Sequence, residues 1–206
     1  LILDDAAKDS SYWDDIYREN DVKTMSWFLD KLDHDVLNEI RSKNLNQGRF
    51  LDLGTGPGTQ AMHLVTFGFE VTGSDISQSA IDKAKQQYSE PNFVVDNILR
   101  SKFPDDEFDF ILDRGVFHTL EKEQIPSYLE QIKRILKENG LLFLKCMSKE
   151  EKGIPQGRGP TLYSQAQVRA FFEKDFEVES IKDSLFFGEV AVPYKAIFTV
   201  LRNKKN

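Results

Sequence analysis

Leu51-Asp52-Leu53-Gly54-Thr55-Gly56-Pro57-Gly58-Thr59-Gln60 reads as a buried strand that runs into a glycine turn and then opens a helix. Such a turn sets backbone N–H groups and a helix N-terminus beside a crevice, an arrangement that favours an anionic ligand group. The dinucleotide fingerprint G-x-G-x-x-G carries its third glycine where this chain has Thr59, because the glycines here are Gly54, Gly56 and Gly58. Pro57 also removes one N–H that a pyrophosphate could use. Asp52 precedes the turn; its carboxylate repels a diphosphate but accepts hydrogen bonds from a ligand ammonium. The loop therefore suits a zwitterion better than a dinucleotide.

Outward from this loop, strand-like and helix-like segments alternate from residue 49 to residue 147, the pattern of a parallel sheet covered on both faces. The strands expected are 49–53, 70–75, 92–95, 108–112 and 141–147. A helix from Thr59 turns Ala61, Leu64 and Val65 inward, and a second, capped by Ser77, carries Ala80, Ile81 and Ala84 at helical spacing. In a third helix Ile125, Tyr128, Leu129, Ile132, Ile135 and Leu136 recur at three and four, and Asn139-Gly140 is read as its end. Ser164-Gln165-Ala166-Gln167 is a capping box that opens a last helix. Two strands follow, 176–185 and 195–201, with no helix between them. They must pair as antiparallel neighbours, since a parallel crossover needs about a dozen connecting residues.

The fold expected is α/β: a Rossmann-like, seven-stranded, mostly parallel sheet with a reversed final strand, helices on both faces and an N-terminal helical lid. It forms one domain over 1–206, with a helical cap at 1–46 and the core at 47–206. Tyr12, Trp13, Tyr17, Trp27 and Phe28 are expected within two cap helices, and residues 148–163 in a Gly- and Pro-rich loop. Both segments are placed to cover the crevice at the C-terminal strand edge.

The chain has 27 basic and 34 acidic residues and a net charge of −7, so it lacks the basic footprint of a nucleic-acid binder. Cys146 is its single cysteine, which excludes an intrachain disulfide and a cysteine metal cluster; no metal site is expected. No stretch approaches the roughly 18 apolar residues of a membrane span, and no signal-peptide pattern opens the chain. These features predict a cytoplasmic monomer or homodimer whose partner is a small molecule, without nucleic acid or membrane.

Asp52-Leu-Gly54-Thr-Gly56-Pro-Gly58 resembles the first motif of class I S-adenosylmethionine-dependent methyltransferases. The run Asp113-Arg114-Gly115-Val116-Phe117-His118 is similar to a segment of small-molecule methyltransferases of the thiopurine and tellurite-resistance type. The likeness continues through Arg158-Gly159-Pro160 and Phe176 to Ile181, with a weaker echo in Tyr12-Trp13-Asp14. The resemblance implies S-adenosylmethionine as cofactor and methyl transfer to a small molecule, with a thiol or other soft nucleophile favoured because no unambiguous base is visible. Two alternatives stay open: a protein-lysine methyltransferase, and a cofactor-binding protein without turnover. A NAD-dependent oxidoreductase is disfavoured by the glycine spacing.

Within that frame Asp52, Gly54, Thr55, Gly56 and Gly58 form the cofactor loop. Asp75, at the end of the second strand, sits where a Rossmann-like fold holds ribose hydroxyls, and Ile76 then lies against the adenine face. Asp96 closes the third strand, where the family accepts the adenine amino group, and Asn97 follows it. Asp113 and Arg114 either hold the methionine moiety and its carboxylate or pair internally to shape the turn. His118 either binds or deprotonates substrate, or caps and packs. Trp13 and Trp27 either stack on the cationic sulfur or belong to the core.

Overall fold

The computed structural model describes residues 9–154 and 159–205. Arg158 lies outside them. Six α-helices and seven strands are formed by the described residues: α1 Ser10–Glu19, α2 His34–Ser42, β1 Arg49–Leu53, α3 Thr59–Val65, β2 Glu70–Asp75, α4 Gln78–Gln87, β3 Asn92–Val95, β4 Phe108–Arg114, α5 Ile125–Ile135, β5 Leu136–Met147, α6 Gln165–Phe172, β6 Phe176–Phe186 and β7 Tyr194–Asn203.

The strands form one sheet in the order β3-β2-β1-β4-β5-β7-β6. All neighbours among β3, β2, β1, β4 and β5 are parallel, whereas β7 runs antiparallel to both β5 and β6. Residues alternate between the two faces of a strand, so each strand feeds two cores. Leu51, Ile111, Leu142 and Ile197 pack against Tyr128 and Ile132 of α5 and Val168 and Phe172 of α6. Phe50, Leu112, Phe143 and Phe198 pack on the other face, against Val36 and Ile40 of α2, Leu64 of α3 and Ile81 of α4. From β1 the chain winds outward to β3, then returns to place β4 on the far side of β1. That reversal opens a crevice beyond the C-terminal ends of β1 and β4.

Several boundaries differ from the sequence expectation, among them the start of β5 at Leu136 rather than Leu141 and the span of β7, Tyr194–Asn203 rather than 195–201. Helix α5 stops at Ile135 rather than near Asn139, because Leu136 is already extended and pairs with Phe108. The Asn203 side-chain amide, from the last residue of β7, donates to the carbonyls of Lys133 and Leu136 and so caps that helix end from afar. Strand β4 runs on to Arg114 rather than ending at residue 112. Trp27 and Phe28 lie between α1 and α2 and not in a helix.

The segment expected to form a cap over 1–46 divides in function. Helix α2 belongs to the core through Val36 and Ile40, which are 0% and 2% exposed. Helix α1 and the connection 20–33 roof the crevice. Asp14 ties α1 to the front of α4: its Oδ1 accepts from the Ser79 N–H at 2.7 Å and the Ser77 hydroxyl at 3.0 Å. The Tyr12-Trp13-Asp14 triplet thereby acquires a structural reason.

Candidate cofactor and acceptor site

A cleft of about 750 Å³ opens over the β1, β2, β3 and β4 strand ends, and a side cavity of about 40 Å³ lies between the glycine turn and the roof. The larger volume is ample for a nucleoside with a second molecule beside it. Gly54, Asp75, Ile76, Asp96 and Asn97 line the cleft, with Trp13 and Trp27 from the roof.

Asp75 is 7% exposed and already bound to the backbone: its Oδ2 accepts the Gly56 N–H at 2.9 Å and its Oδ1 the Ser77 N–H at 3.0 Å. Burial pushes its carboxyl up to about 6, against those two donors. Ionised, each oxygen retains capacity for a further donor. Asp96 is held differently. Its Oδ1 accepts the Lys102 N–H at 2.9 Å, while Oδ2 is buried without a hydrogen-bond partner among the described residues. An orphaned carboxylate oxygen in a cleft wall is costly unless a ligand donor meets it. Asn97 uses its side chain to cap the following turn through the Leu99 N–H.

Asp52 lines the small cavity, 2% exposed, and accepts the Thr55 hydroxyl at 2.6 Å. Burial raises its carboxyl to about 7, with the Thr55 hydroxyl and the Arg114 charge acting against the rise. Thr55 and Gly56 line the same cavity. Gly56 sits at φ 53°, and a Cβ there would lie 2.7 Å from the Tyr17 hydroxyl of the roof. Tyr17 and Trp27 belong to one apolar cluster of the roof, and Trp27 meets Trp13 edge to face at 6.1 Å. The roof is thus closed onto the turn.

Two of the residues expected at the ligand line neither cavity. Gly58 lines neither cavity. It occupies the left-handed N-cap of α3, where a Cβ would press to 2.6 Å from the Phe93 ring, so it serves helix packing. Asp113 is 0% exposed and also faces away from both cavities. Its Oδ1 accepts the Gly115 and Val116 N–H groups at 3.0 and 2.7 Å, and its Oδ2 the Phe117 N–H and the Tyr128 hydroxyl at 3.0 and 2.7 Å. It does not pair with Arg114. The carboxylate holds the turn together, and burial raises it to about 6. Replacing Tyr128 with phenylalanine leaves that carboxylate a donor short, so urea denaturation should show a loss of about 1–3 kcal/mol with the denaturant slope unchanged. An unshifted midpoint would show that the hydroxyl contributes nothing.

Arg114 leaves the end of β4 and lines both cavities. Its Nε donates to Asp33 Oδ2 and its Nη1 to the Trp27 carbonyl, each at 3.0 Å, its Nη2 reaches the Phe187 carbonyl, and the guanidinium lies 4.3 Å from the Phe186 ring centroid. His118, also on the wall, accepts the Met147 N–H through Nδ1 at 3.1 Å. Around these two residues Met147, Phe186, Trp27, Ile154 and Tyr194 make an apolar end of the cleft.

Several of these residues carried no usable local signal. Asp33 meets Arg114 across 81 residues and Lys145 across 112. Lys145 alone left a trace, as the single charge in the apolar run Leu141 to Cys146.

The donors and acceptors fit a nucleoside with a zwitterionic tail: acids at the ends of β2 and β3, an orphaned Asp96 oxygen, and Asp52 beside Arg114. Comparison with known proteins agrees. Residues 51–144 match the methyltransferase domain family. An uncharacterized methyltransferase of Schizosaccharomyces pombe is 30% identical over 124 residues, which span 58% of this chain and 86% of that protein. A probable thiol methyltransferase of Arabidopsis thaliana is 27% identical over 187 residues, or 87% of this chain and 80% of the relative. A solved structure reported for the conversion of a disulfide bond into a thioacetal group during echinomycin biosynthesis superposes with a TM-score of 0.83 at 23% identity, covering 96% of this chain and 94% of the other. The chain belongs to the S-adenosylmethionine-dependent methyltransferase family.

Proposed function

We propose that the protein transfers a methyl group to a small organic thiol, taken up as its thiolate. The observation that carries this reading is the Met147 N–H bound to His118 Nδ1. A ring nitrogen that accepts a backbone N–H carries no proton, so the neutral imidazole holds its hydrogen on Nε2 and acts there as a donor. In this tautomer His118 cannot take a proton from an acceptor. Asp9, the carboxylate on the wall contributed by the roof, is held below its ordinary value by hydrogen bonds from Ser11 and Tyr12, and is a poor base.

An alcohol or amine acceptor usually needs such a base, whereas a thiol with a pKa near about 8.5 supplies its own anion at neutral pH. Arg114 gives that end of the cleft its positive charge. The apolar walls of Met147, Phe186 and Ile154 exclude water, which leaves an anionic sulfur less solvated and more reactive. Asp75, Asp96 and Asp52 are the residues that would hold the cofactor, and S-adenosylmethionine supplies, when bound, an electrophilic methyl on a cationic sulfur. The Arabidopsis relative named as a probable thiol methyltransferase lends support to a sulfur acceptor.

A panel of thiols matched with the corresponding alcohols and amines tests the reading, with methylated products followed by mass spectrometry. Thiols should turn over at least about a hundredfold faster than their oxygen counterparts, a difference of about 2.7 kcal/mol in barrier. Their rates at limiting substrate should rise with pH according to the thiol's own ionisation. Equal rates on an amine or a lysine peptide would displace the proposal.

A further inference from the structure

Behind the roof Lys145, Asp33 and Asp35 form a buried ionic cluster that lines neither cavity. Lys145, on β5, is 0% exposed and lines no part of the cleft. Its Nζ donates to both carboxylate oxygens of Asp33, at 2.6 and 2.8 Å, to the Leu185 carbonyl at 3.2 Å, and pairs with Asp35 at 2.8 Å. Asp33, itself 0% exposed, receives Arg114 on the same carboxylate at 3.0 Å. One carboxylate therefore joins a lysine that never meets the ligand to an arginine that lines both ligand cavities.

The network gathers three stretches of chain. Arg114 holds the Trp27 and Phe187 carbonyls, Lys145 holds Leu185, and the Gln60 side chain takes the Asp33 N–H at 2.8 Å while donating to the Lys31 carbonyl at 2.6 Å. The roof segment 26–33 is thereby fastened to the ends of β4 and β6 and to α3. A lysine buried in the middle of a sheet is expensive to desolvate, and an apolar side chain of similar volume often serves stability as well or better. Its placement has a clearer use in geometry, since the roof must open to admit a cofactor and close again to hold it.

We propose that Lys145 is a positioning residue of this methyltransferase: through Asp33 it sets Arg114 and keeps the Trp27 roof closed over bound cofactor. The inference rests on the cofactor and not on the identity of the acceptor. Trp13 and Trp27 are the two tryptophans of the chain and both line the cleft, so intrinsic emission reports the roof directly.

The full-length Lys145→Met variant is to be titrated with S-adenosylhomocysteine well below its own melting midpoint. The dissociation constant should rise at least about tenfold, and the change in tryptophan emission that accompanies saturation of the parent protein should be lost. A merely structural pair lowers the urea midpoint yet leaves both readouts intact in the folded protein, and that result overturns the proposal. Should the variant not fold, hydrogen exchange in the unaltered protein decides: amides of residues 26–33 must gain protection when S-adenosylhomocysteine binds, and equal exchange with and without it refutes the latch. Absence of any binding by the unaltered protein removes the cofactor assignment, and the latch with it.

Discussion

Asp75→Ala is expected to raise the dissociation constant for S-adenosylhomocysteine at least about a hundredfold, equivalent to about 2.7 kcal/mol. The carboxylate is the only acidic group on β2's C-terminal end, and a charge-assisted hydrogen bond to it is worth about 1.5–3 kcal/mol. The same substitution frees the Gly56 N–H from Asp75 Oδ2, so the turn beneath the ligand loses an anchor as well. Asp75→Asn keeps the shape but replaces one acceptor oxygen by a donor, and should fall between the two. Calorimetric titration measures both variants, with circular dichroism to establish that each is folded. An affinity equal to that of the parent removes Asp75 from the site.

The second large effect concerns pH and has opposite signs for stability and for binding. Burial raises Asp52 to about 7 and Asp75 and Asp113 to about 6, all above their values in an unfolded chain near about 3.9. A folded state with raised carboxyl values takes up protons, so its stability is full below the unfolded value and declines as pH rises through about 6 to 7. The urea midpoint of the cofactor-free protein should accordingly be higher near about pH 5.5 than near about pH 8. Asp35 acts in the other direction, since the Lys145 charge opposes its burial and holds it near about 2, but its effect is confined to lower pH.

Cofactor affinity should run the opposite way. Asp52 and Asp75 accept ligand hydrogen bonds best as anions, and the fraction with both ionised falls on the order of a hundredfold between about pH 8 and about pH 5.5. Binding of S-adenosylhomocysteine should weaken by at least tenfold over that interval. Flat affinity across it would mean that neither carboxylate accepts from the ligand.

Much of the architecture could be read in advance because its causes are local. The Ser77 and Ser164 caps, the Gly58 entry to α3 and the continuously buried run of β1 depend on neighbours within a few residues. The strands 49–53, 70–75 and 92–95 fall where periodicity placed them. The end of α5 escaped the same reading because the amide that caps it belongs to Asn203, 67 residues from Leu136. Position at a strand end also located the acids but not their directions. Asp75 and Asp96 face the cleft, whereas Asp113 is turned inward by the N–H groups of residues 115–117 and the Tyr128 hydroxyl.

By itself, the sequence determined a doubly covered parallel sheet, a glycine turn unsuited to a dinucleotide, and acids at the ends of β2 and β3. Hydrophobic period and turn chemistry are encoded within short windows and survive without any knowledge of packing. Only the tertiary structure decided that Arg114 binds the roof while lining the cleft, that His118 Nδ1 accepts the Met147 N–H, and that Lys145 finds Asp33 across 112 residues. A charge removed from water takes whichever opposite charge the closed fold brings to it, and separation along the chain does not enter that choice.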